Sequence, residues 1–287
     1  MKTANFASIA LLTFTAFAQT PQRPTGRQII ERIQGHVGIP WTTPTVDTFK
    51  AGSPDTPVTG IAVTMMATLD VLEHAVASGN NLIITHEPTF YNHQDERANL
   101  QAQNDAVLSE KEAYIRDHHL VVWRFHDHWH QRRPDGILYG MVHALGWEAY
   151  QNAENPHLFV LPETTVADLA ASLKRKLGIK VLRAVGDPAL KITKAAMLPG
   201  AAGSDVQIKM LERSDVQALI IGETREWETV EYVADASTEH KQKALLILGH
   251  IPSEQAGMEE CARWLKTFVT DVPVQFVPAA EPFWTPR

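Results

Sequence analysis

The sequence of 287 residues predicts an α/β protein made of two α/β halves, whose mostly parallel or mixed sheets share a metal site at the strand ends. Four short runs rich in Val, Ile and Leu are typical of strands buried on both faces of a parallel sheet. Each of these runs ends at a residue that can bind a metal ion, and helical segments alternate with the runs. Ligands of such sheets lie beyond the carboxyl ends of the strands, so we expect the chemistry at one sheet edge.

The amino terminus has the pattern of a signal peptide over residues 1–18. Lys2 precedes an apolar stretch of residues 6–17, and small residues surround Phe17 before Gln19. A stretch of about a dozen apolar residues is too short for a membrane span, which needs about 20. We therefore expect export to a periplasmic or secreted location after cleavage near Ala18, no membrane span in the mature chain, and a disordered spacer over residues 19–26.

Charge and cysteine content narrow the class of protein. The formal net charge of -7 argues against a nucleic-acid surface, which needs a basic patch. Cys261 is the only cysteine, so no intramolecular disulfide can form and no cluster of thiolates can bind a metal. Stability must therefore come from the apolar core.

The first predicted half covers residues 27–146. Ile29, Ile30 and Ile33 form a helical stripe that Gly35 would end, and residues 40–59, rich in Pro, Gly and Thr, are expected to be loop. Strands are predicted at 61–64, 82–85 and 121–125, and helices at 68–78, 99–117 and 136–145. The alternation gives a βαβ unit whose second strand ends at His86.

A small insert is predicted at residues 147–187, and a second half at 188–287. Within the insert, Thr165 and Asp168 form a helix-start signal and Gly178 a stop signal, and a short strand follows at 181–184. In the second half, strands are predicted at 195–198, 218–221, 244–248 and 274–277, and helices at 205–213, 229–236 and 254–268. Both halves supply candidate ligands, so the site is expected between them.

His86-Glu87 and the histidines that follow residue 125 are the candidate metal ligands of the first half. Pro88 keeps Glu87 out of helical conformation and extends the chain beyond the strand. His126, His128 and His130 are so spaced that two of them share a face in either a strand or a helix. The alternative is a polar loop whose histidines are solvated or cap the core.

His250 and Glu254 are the candidates of the second half. His250 ends a predicted strand, while Glu254 begins a predicted helix that Ser253 can cap. The alternative is that Glu254 only complements the helix dipole. Glu223 and Glu226 follow another strand and are candidate proton shuttles, although an exposed acidic helix start would give the same pattern.

Imidazole nitrogens and carboxylate oxygens together suit zinc, manganese or iron(II). The candidate ligands are more than one tetrahedral ion uses, so the sequence predicts two divalent transition-metal ions. It contains neither a phosphate-binding loop with Lys-Ser/Thr nor a Gly-x-Ser-x-Gly elbow.

Two long segments resemble one family, the dinuclear metal-centre hexameric proteins. These are the NGG-interacting-factor-three-like proteins, also called type 2 homologues of GTP cyclohydrolase I. Residues 61–90, with the motif Thr85-His86-Glu87-Pro88, resemble the hallmark segment of the family. Residues 195–283 resemble its carboxyl half through the Gly-rich turn at 199–204, Gly222-Glu223, and Gly249-His250 with Glu254.

The resemblance implies a dimetal site between two α/β halves and commonly a toroidal hexamer. The paired histidines of the family fall on His86 and Glu87, its His-x-x-x-Asp segment on residues 126–130, and its last pair on His250 and Glu254. Two departures exchange an imidazole and a carboxylate, because Glu87 replaces a histidine and His130 an aspartate. Trp227 replaces a further histidine. These changes, together with the signal peptide, indicate a divergent exported branch of the family and put a nucleotide substrate in doubt.

The sequence supports two functional hypotheses. The first is a dinuclear metal-dependent hydrolase that acts on an unknown small molecule through a metal-bound water. The residues that bind the ions directly would be His86, Glu87, His130, His250 and Glu254. His126 would be a further ligand or would hold one of the ligands in place, and Glu223 or Glu226 would be the proton shuttle. The second is a metal-binding or assembly protein without catalysis, which would lack an open coordination position facing a cleft.

Overall fold

The computed structural model of the protein describes residues 23–286, in which ten strands form two five-stranded sheets. The strands are β1 (Phe49–Ala51), β2 (Ile61–Thr64), β3 (Leu82–Thr85), β4 (Val121–Arg124), β5 (Leu158–Thr165), β6 (Arg183–Val185), β7 (Lys191–Leu198), β8 (Ala218–Ile221), β9 (Ala244–Ile247) and β10 (Val274–Phe276). The α-helices are α1 (Gly26–His36), α2 (Leu69–Ala77), α3 (Ala98–Ala102), α4 (Ala106–Asp117), α5 (Asp127–Gln131), α6 (Gly136–Leu145), α7 (Val166–Leu177), α8 (Ser204–Leu211), α9 (Glu231–Thr238) and α10 (His250–Leu265). The predicted α/β class is confirmed.

The first sheet has the strand order β1-β4-β3-β2-β10. Strands β4, β3, β2 and β10 are parallel, and β1 is antiparallel to β4. β2, β3 and β4 are buried along their whole length, as their unbroken apolar runs predict. β1 lies within the predicted loop at 40–59; with only three half-buried residues at a sheet edge, it shows no hydrophobic periodicity.

The second sheet has the order β5-β7-β8-β9-β6. β7, β8 and β9 are parallel, while β5 and β6 run antiparallel to them at the two edges. Residues 147–187, expected as a small insert, therefore supply both outer strands of this sheet and are an integral part of it. Their segment reads as separate in the sequence because the two edge strands are only partly buried and lack a continuous apolar run.

The end of the chain returns to the first sheet. β10 pairs with β2, with Val274 opposite Ile61, and the buried face of α10, including Met258 and Leu265, belongs to the core around the first sheet. The expected boundary at residue 188 thus does not separate the two sheets. α10 crosses α6 in close contact. Gly140 of α6 lies so near the backbone of α10 that a side chain there would overlap it.

α10 also begins four residues earlier than expected. Its amino-terminal cap is Gly249, whose positive φ of 95° is a backbone conformation that glycine adopts readily. Ser253, expected to cap the helix, instead accepts a hydrogen bond from the Gly200 amide and donates one to the His250 carbonyl. His250 and Glu254 consequently lie one turn apart on the same helix face.

Two further expectations concern the amino-terminal part of the chain. The predicted helix at 99–117 is two helices, α3 and α4, separated by Asn104 with a φ of 52°. The predicted spacer at 19–26 overlaps the fold at its end, since Thr25 caps α1 and the Pro24 carbonyl accepts a hydrogen bond from Val58. The predicted signal peptide at 1–18 lies outside the described residues.

Between residues 23 and 286, no helix has the length and apolar character that crossing a membrane requires.

Candidate metal centre

The carboxyl ends of strands from both sheets meet at one cluster of imidazoles and carboxylates. His86 and Glu87 follow β3, and His126 and His130 lie in the segment after β4. Two groups of three residues each have ligand atoms within 4.8 Å of one another: His86, His126 and His130 form one, and His86, Glu87 and Glu254 form the other. Parallel strands carry their carboxyl ends to the same edge, which explains the convergence.

His250 joins the two carboxylates of this cluster. Its Nε2 lies 3.4 Å from Glu87 Oε1 and 3.2 Å from Glu254 Oε2. His86 Nε2 lies 3.2 Å from His130 Nε2 and 3.6 Å from Glu254 Oε2. The six residues expected to bind metal are therefore all at one place.

Each imidazole has its second nitrogen held by a neighbouring group. The Nδ1 atoms of His86, His126, His130 and His250 lie 3.0 Å from Phe125 O, 2.9 Å from Asp127 Oδ1, 3.0 Å from Asp135 Oδ2 and 3.3 Å from Glu223 Oε2, respectively. Such outer-shell acceptors fix a metal-binding histidine in the tautomer that carries its proton on Nδ1. All four Nε2 atoms can then face the cluster with a free lone pair.

The carboxylate of Glu254 is the central acid of the cluster. Its side chain is only 3% exposed, and Oε2 has no hydrogen-bond partner among the described residues. Both of its oxygens face imidazoles, with Oε1 at 3.9 Å from His130 Nε2. A buried carboxylate oxygen without a donor is costly unless a cation accompanies it, so these residues fit a divalent metal ion.

Glu87 is held differently, because one of its oxygens is already engaged. Oε2 accepts a hydrogen bond of 3.1 Å from Arg124 Nη2, while Oε1 faces His126 Nε2 at 3.6 Å. The sequence suggested that Glu87 could bridge two ions through both oxygens. In the structure only Oε1 of Glu87 faces the cluster, whereas both oxygens of Glu254 face imidazoles.

The electrostatics of the cluster favour positive charge at its centre. Burial opposes protonation of His250, but the neighbouring carboxylates of Glu223, Glu254 and Glu87 outweigh it and raise the pKa of His250 to about 12. Burial also opposes the charged form of Glu87, yet its contact with His250 leaves the pKa of this carboxyl below its usual value. A proton on His250 thus occupies a position where a metal ion would satisfy the same carboxylates.

The other imidazoles respond to burial and to each other. The pKa of His86 is well below its usual value, chiefly because the ring is completely buried and also because His126 and His130 are close. Burial likewise lowers the pKa of His126. Burial opposes protonation of His130 as well, but the hydrogen bond to Asp135 and the nearby carboxylates raise its pKa. Neutral His86 and His126 are already in the form that binds a metal.

The Gly-rich turn after β7 presses against the cluster from the second sheet. Gly200 has a φ of 66°, and a Cβ added there would overlap the carboxylate of Glu254. Gly222, at the end of β8, leaves no room for a side chain beside the Ser253 hydroxyl and the Gly200 backbone. These two glycines therefore allow the backbone to pack directly onto the acid at the centre of the cluster.

Of the two proposed proton shuttles, only Glu223 lies at the cluster. Its side chain is about half exposed and contacts His250 Nδ1. Glu226 is in a π-helical turn (Glu226–Val230) and pairs instead with Arg183 on β6, with both side chains exposed. The structure therefore does not bring Glu226, the other proposed shuttle, to the cluster, because the chain has turned away three residues after Glu223.

His128 is also outside the metal-binding set. It is buried with its ring stacked on Trp41 at 3.6 Å, and its Nδ1 donates to Asp47 Oδ2 at 2.7 Å. Asp47 further accepts from the amides of His126 and Asp127 at the start of α5. The alternative of a core-stabilising histidine therefore applies to His128 but not to its neighbours at 126 and 130.

Sequence reasoning missed the residues that orient the ligands. Asp127 and Asp135 hold two of the imidazoles, and Arg124 holds Glu87. A signal for Arg124 was present, since it is a charged residue within an otherwise apolar strand and such a charge needs a buried partner. Asp135 also caps α6 through the amides of Ile137 and Leu138, which explains its position just before that helix.

Fold and site together define an α/β protein with two mixed sheets and an imidazole–carboxylate cluster where their strand ends meet. The family model described as Duf34/NIF3 (NGG1p interacting factor 3) matches residues 48–282, and the chain belongs to this family. The resemblance of the two sequence segments is thereby confirmed.

Individual relatives are distant in sequence but similar in fold. The chain is 25% identical over 214 residues to the GTP cyclohydrolase 1 type 2 homolog of Clostridium acetobutylicum, covering 71% of this chain and 75% of that protein. The crystal structure of the Staphylococcus aureus hypothetical protein SA1388 matches with a TM-score of 0.71 at 16% identity, covering 92% of this chain and 100% of that one. The Bacillus cereus protein related to NIF3 matches with a TM-score of 0.70 at 14% identity, covering 92% and 99% of the two chains. The structural matches establish the fold, while family and ligand groups together are compatible with metal binding.

Proposed function

We propose that this chain binds two divalent transition-metal ions and hydrolyses a small molecule. The observation that best supports this proposal is the number of donor atoms that converge. They are the Nε2 atoms of His86, His126, His130 and His250, Oε1 of Glu87 and both carboxylate oxygens of Glu254. One tetrahedral ion uses four ligands, so this set is large enough for two ions that share Glu254.

The mixture of donors also narrows the choice of metal. Imidazole with carboxylate suits zinc, manganese or iron, whereas calcium and magnesium prefer sites made of oxygen alone. Metal ions in such sites lower the pKa of a coordinated water and polarise the bond that is attacked. Glu87, Glu254 and the four imidazoles would hold the ions. The burial of these side chains limits the access of bulk solvent to the cluster.

Glu223 is the residue that we assign to proton transfer. Its carboxylate is about half exposed, and its pKa is lowered chiefly by the hydrogen bond from His250. It is therefore ionised at neutral pH and can accept a proton from a group at the edge of the cluster and release it to solvent. This proton-accepting role is the one that a hydrolytic reaction requires of a general base.

Two further proposals concern the protein as it occurs in the cell. We expect it to be exported with residues 1–18 removed, and to assemble as a hexamer, as the family resemblance implies. Amino-terminal sequencing of the exported protein tests the first, and an intact Met1 in a soluble cytoplasmic fraction would contradict it. Native mass spectrometry tests the second, and a monomer at all concentrations would contradict it.

Metal content and hydrolysis should be measured on the same protein. The protein is purified without chelators, reconstituted with zinc, manganese or iron, and its metal per chain is determined by mass spectrometry. We expect about two ions per chain for the wild type and a strong loss for Glu254→Gln, which keeps the shape of the side chain but removes its charge.

The metal-loaded protein is then assayed against a panel of small esters, amides and phosphate esters, with Glu223→Gln as the second variant. We expect this variant, which loses the carboxylate partner of His250, to bind metal about 10- to 100-fold more weakly and to lose hydrolysis even when it is saturated with metal. Metal near zero after reconstitution would refute the metal site. Full metal without hydrolysis of any compound in the panel would favour a metal-binding or assembly protein.

A further inference from the structure

We propose that Arg124 is a positioning residue that confines Glu87 to a single metal-facing oxygen and compensates its charge, and so sets the affinity of the site. This inference rests on the proposed metal site. It concerns metal binding alone and does not depend on any hydrolytic reaction.

Arg124 is unusual for its complete burial at the end of an apolar strand. Its side chain is 0% exposed, although β4 otherwise consists of Val121, Val122 and Trp123. Arginine is almost never fully buried without partners, because the desolvation of its charge must be offset by hydrogen bonds and opposite charge. The groups that Arg124 contacts therefore show which residues it holds in place.

The guanidinium spans the segment that carries two of the metal ligands. Nε donates to the carbonyl of His86 at 3.0 Å, Nη2 donates to Glu87 Oε2 at 3.1 Å, and Nη1 donates to the carbonyl of His93. Asp95 Oδ2 lies 3.9 Å from Nη1. Arg124 thus fixes the backbone at His86 and the side chain of Glu87 at the same time.

The consequence for Glu87 is that its two oxygens have different partners. Oε2 is engaged by Arg124, and Oε1 lies 3.6 Å from His126 Nε2 and 3.4 Å from His250 Nε2. A carboxylate held in this way offers one oxygen to an ion and cannot chelate it with both. Arg124 therefore makes Glu87 a monodentate ligand.

The charge balance makes the effect of Arg124 on metal affinity depend on the residue at position 87. Glu87 and Glu254 bring two buried negative charges to the cluster, and Arg124 brings one positive charge next to Glu87. If the arginine is removed, Glu87 keeps its charge but loses its orientation. If Glu87 becomes a neutral imidazole, Arg124 is a buried charge without that partner, and it repels the metal ion. The effect of Arg124 on metal affinity should therefore change sign with the residue at position 87.

The test is a double-mutant cycle read out as zinc affinity. Wild type, Arg124→Met, Glu87→His and the double variant are titrated with Zn²⁺ against a competing chromophoric chelator. We expect Arg124→Met to weaken zinc binding about 10- to 100-fold when residue 87 is glutamate, the usual effect of losing an outer-shell partner. In the Glu87→His background, we expect the same change to strengthen zinc binding about tenfold, because it removes a buried positive charge that repels the ion.

A purely structural role gives a different result. Because Arg124 also holds the carbonyls of His86 and His93, a role in backbone support alone would weaken zinc binding in both backgrounds. Weakening in both, or no effect in the glutamate background, overturns the proposal. Wild-type protein that binds no zinc would instead refute the metal site itself, so the two failures are distinguishable.

Arg124→Lys serves as a second variant in case Arg124→Met does not fold, which circular dichroism of the metal-free protein would reveal. Lysine keeps the charge but lacks the planar fork that contacts the three acceptors together. We expect it to weaken zinc binding less than methionine does, and to change the visible absorption of the Co²⁺-substituted protein as Glu87 gains freedom to chelate. An unchanged Co²⁺ spectrum together with wild-type zinc affinity would contradict the inference.

Discussion

At the scale of single residues, the cluster depends as much on what lies behind the ligands as on the ligands themselves. Every imidazole that points into it has its Nδ1 atom held by a carbonyl or a carboxylate. The rings are thereby fixed in orientation before any ion binds. Substitutions in the two layers should consequently have different and measurable effects.

His250→Ala should weaken zinc binding more than the about 10- to 100-fold typical of outer-shell losses. The ring lies between the carboxylates of Glu87 and Glu254, so its removal deletes a donor atom and leaves both acids less well ordered. The control is His118→Ala, because His118 is exposed before β4 and, among the aromatic contacts of the described residues, its ring contacts only that of Tyr114, at a tilt. Equal zinc affinity in the two variants would remove His250 from the ligand set.

Asp135→Asn should weaken zinc binding about 10- to 100-fold with little change in stability. Oδ1 of the asparagine can still cap α6, whereas the amide nitrogen in place of Oδ2 donates to Nδ1 of His130 and shifts its proton to Nε2, away from the metal-binding tautomer. Asp105→Asn is the matched control, since Asp105 caps α4 in the same way. Zinc competition and thermal melts of both variants provide the measurement, and an equal effect on affinity would contradict the outer-shell role.

At the scale of elements, the cluster is made by the points where strands end and helices begin. The early start of α10 puts His250 and Glu254 on one helix face, and the Gly200 turn packs against them from the side. Neither effect requires a long element. Both require a backbone conformation that glycine alone adopts easily.

Gly200→Ala should lower both stability and zinc affinity. Its φ of 66° is strained for alanine, at a cost of about 1–2 kcal/mol, and the added Cβ would displace the carboxylate of Glu254. Gly178→Ala is the control, because Gly178 has a φ of 67° at the end of α7 but no atom within 4 Å of an added Cβ. We expect similar losses of unfolding free energy from backbone strain, and weaker zinc binding for Gly200→Ala only. Weaker zinc binding in both variants would mean that backbone strain, and not the contact with Glu254, lowers the affinity.

At the scale of the whole molecule, the cluster connects distant parts of the chain. β3 and β4 belong to the first sheet, the Glu223 segment belongs to the second, and α10 packs on the core of the first. An ion bound here would be held by residues after β3 and β4 and on α10, and through His250 it would be linked to Glu223 of the second sheet. Metal binding should therefore stabilise the molecule globally rather than one loop.

Zinc should raise the melting temperature, and the increase should grow with pH. An ion that binds only the folded state stabilises it by about 2.7 kcal/mol at 100 times Kd. The pKa of His250, raised to about 12, and the raised pKa of His130 mean that binding displaces protons. Each displaced proton makes zinc binding about tenfold tighter, or about 1.4 kcal/mol, per pH unit. Melts with and without zinc at pH 5.5, 6.5 and 7.5 test this, and an increase that shrinks as pH rises would refute it.

The metal-free protein should lose stability on acidification. His86 and His126 have lowered pKa values when folded, so below pH about 6.5 the unfolded chain binds more protons and is favoured. The lowered pKa values of Glu87 and Asp135 continue this loss as pH falls through about 4 and below. The raised pKa of His250 has the opposite effect. The stability that it contributes is complete below about pH 6.5 and is lost as pH rises towards 12. Urea unfolding between pH 4 and 8 should therefore show its maximum near neutrality, and a stability that increases steadily towards pH 4 would contradict this.

A fragment of residues 188–286 should not fold by itself. The buried face of α10, with Met258, Cys261 and Leu265, would be exposed without the first sheet, and β10 would lack its partner β2. Far-ultraviolet circular dichroism and urea unfolding of the fragment test this expectation. Cooperative unfolding of the isolated fragment would mean that the boundary predicted at residue 188 separates two independent domains.

The sequence by itself determined the fold class and the buried strands, and the family resemblance selected the six residues that meet in the cluster. Unbroken apolar runs identify strands covered on both faces, and parallel strands must bring their carboxyl ends to one edge. His86, His126 and His250 each follow such a run, so their meeting was predictable from local pattern alone. Local pattern also identified helix ends such as Gly178, where a left-handed residue stops the helix.

Only the tertiary structure decided which groups stand behind the ligands and which candidates face elsewhere. Asp135, Arg124 and Asp47 act through contacts with residues on other segments, and Glu226 is turned away from His250 by the fold of its own loop. The return of α10 and β10 to the first sheet is likewise a non-local pairing. Periodicity reports whether a residue is buried, but the partner that offsets a buried charge is selected by packing across the chain, which no local pattern contains.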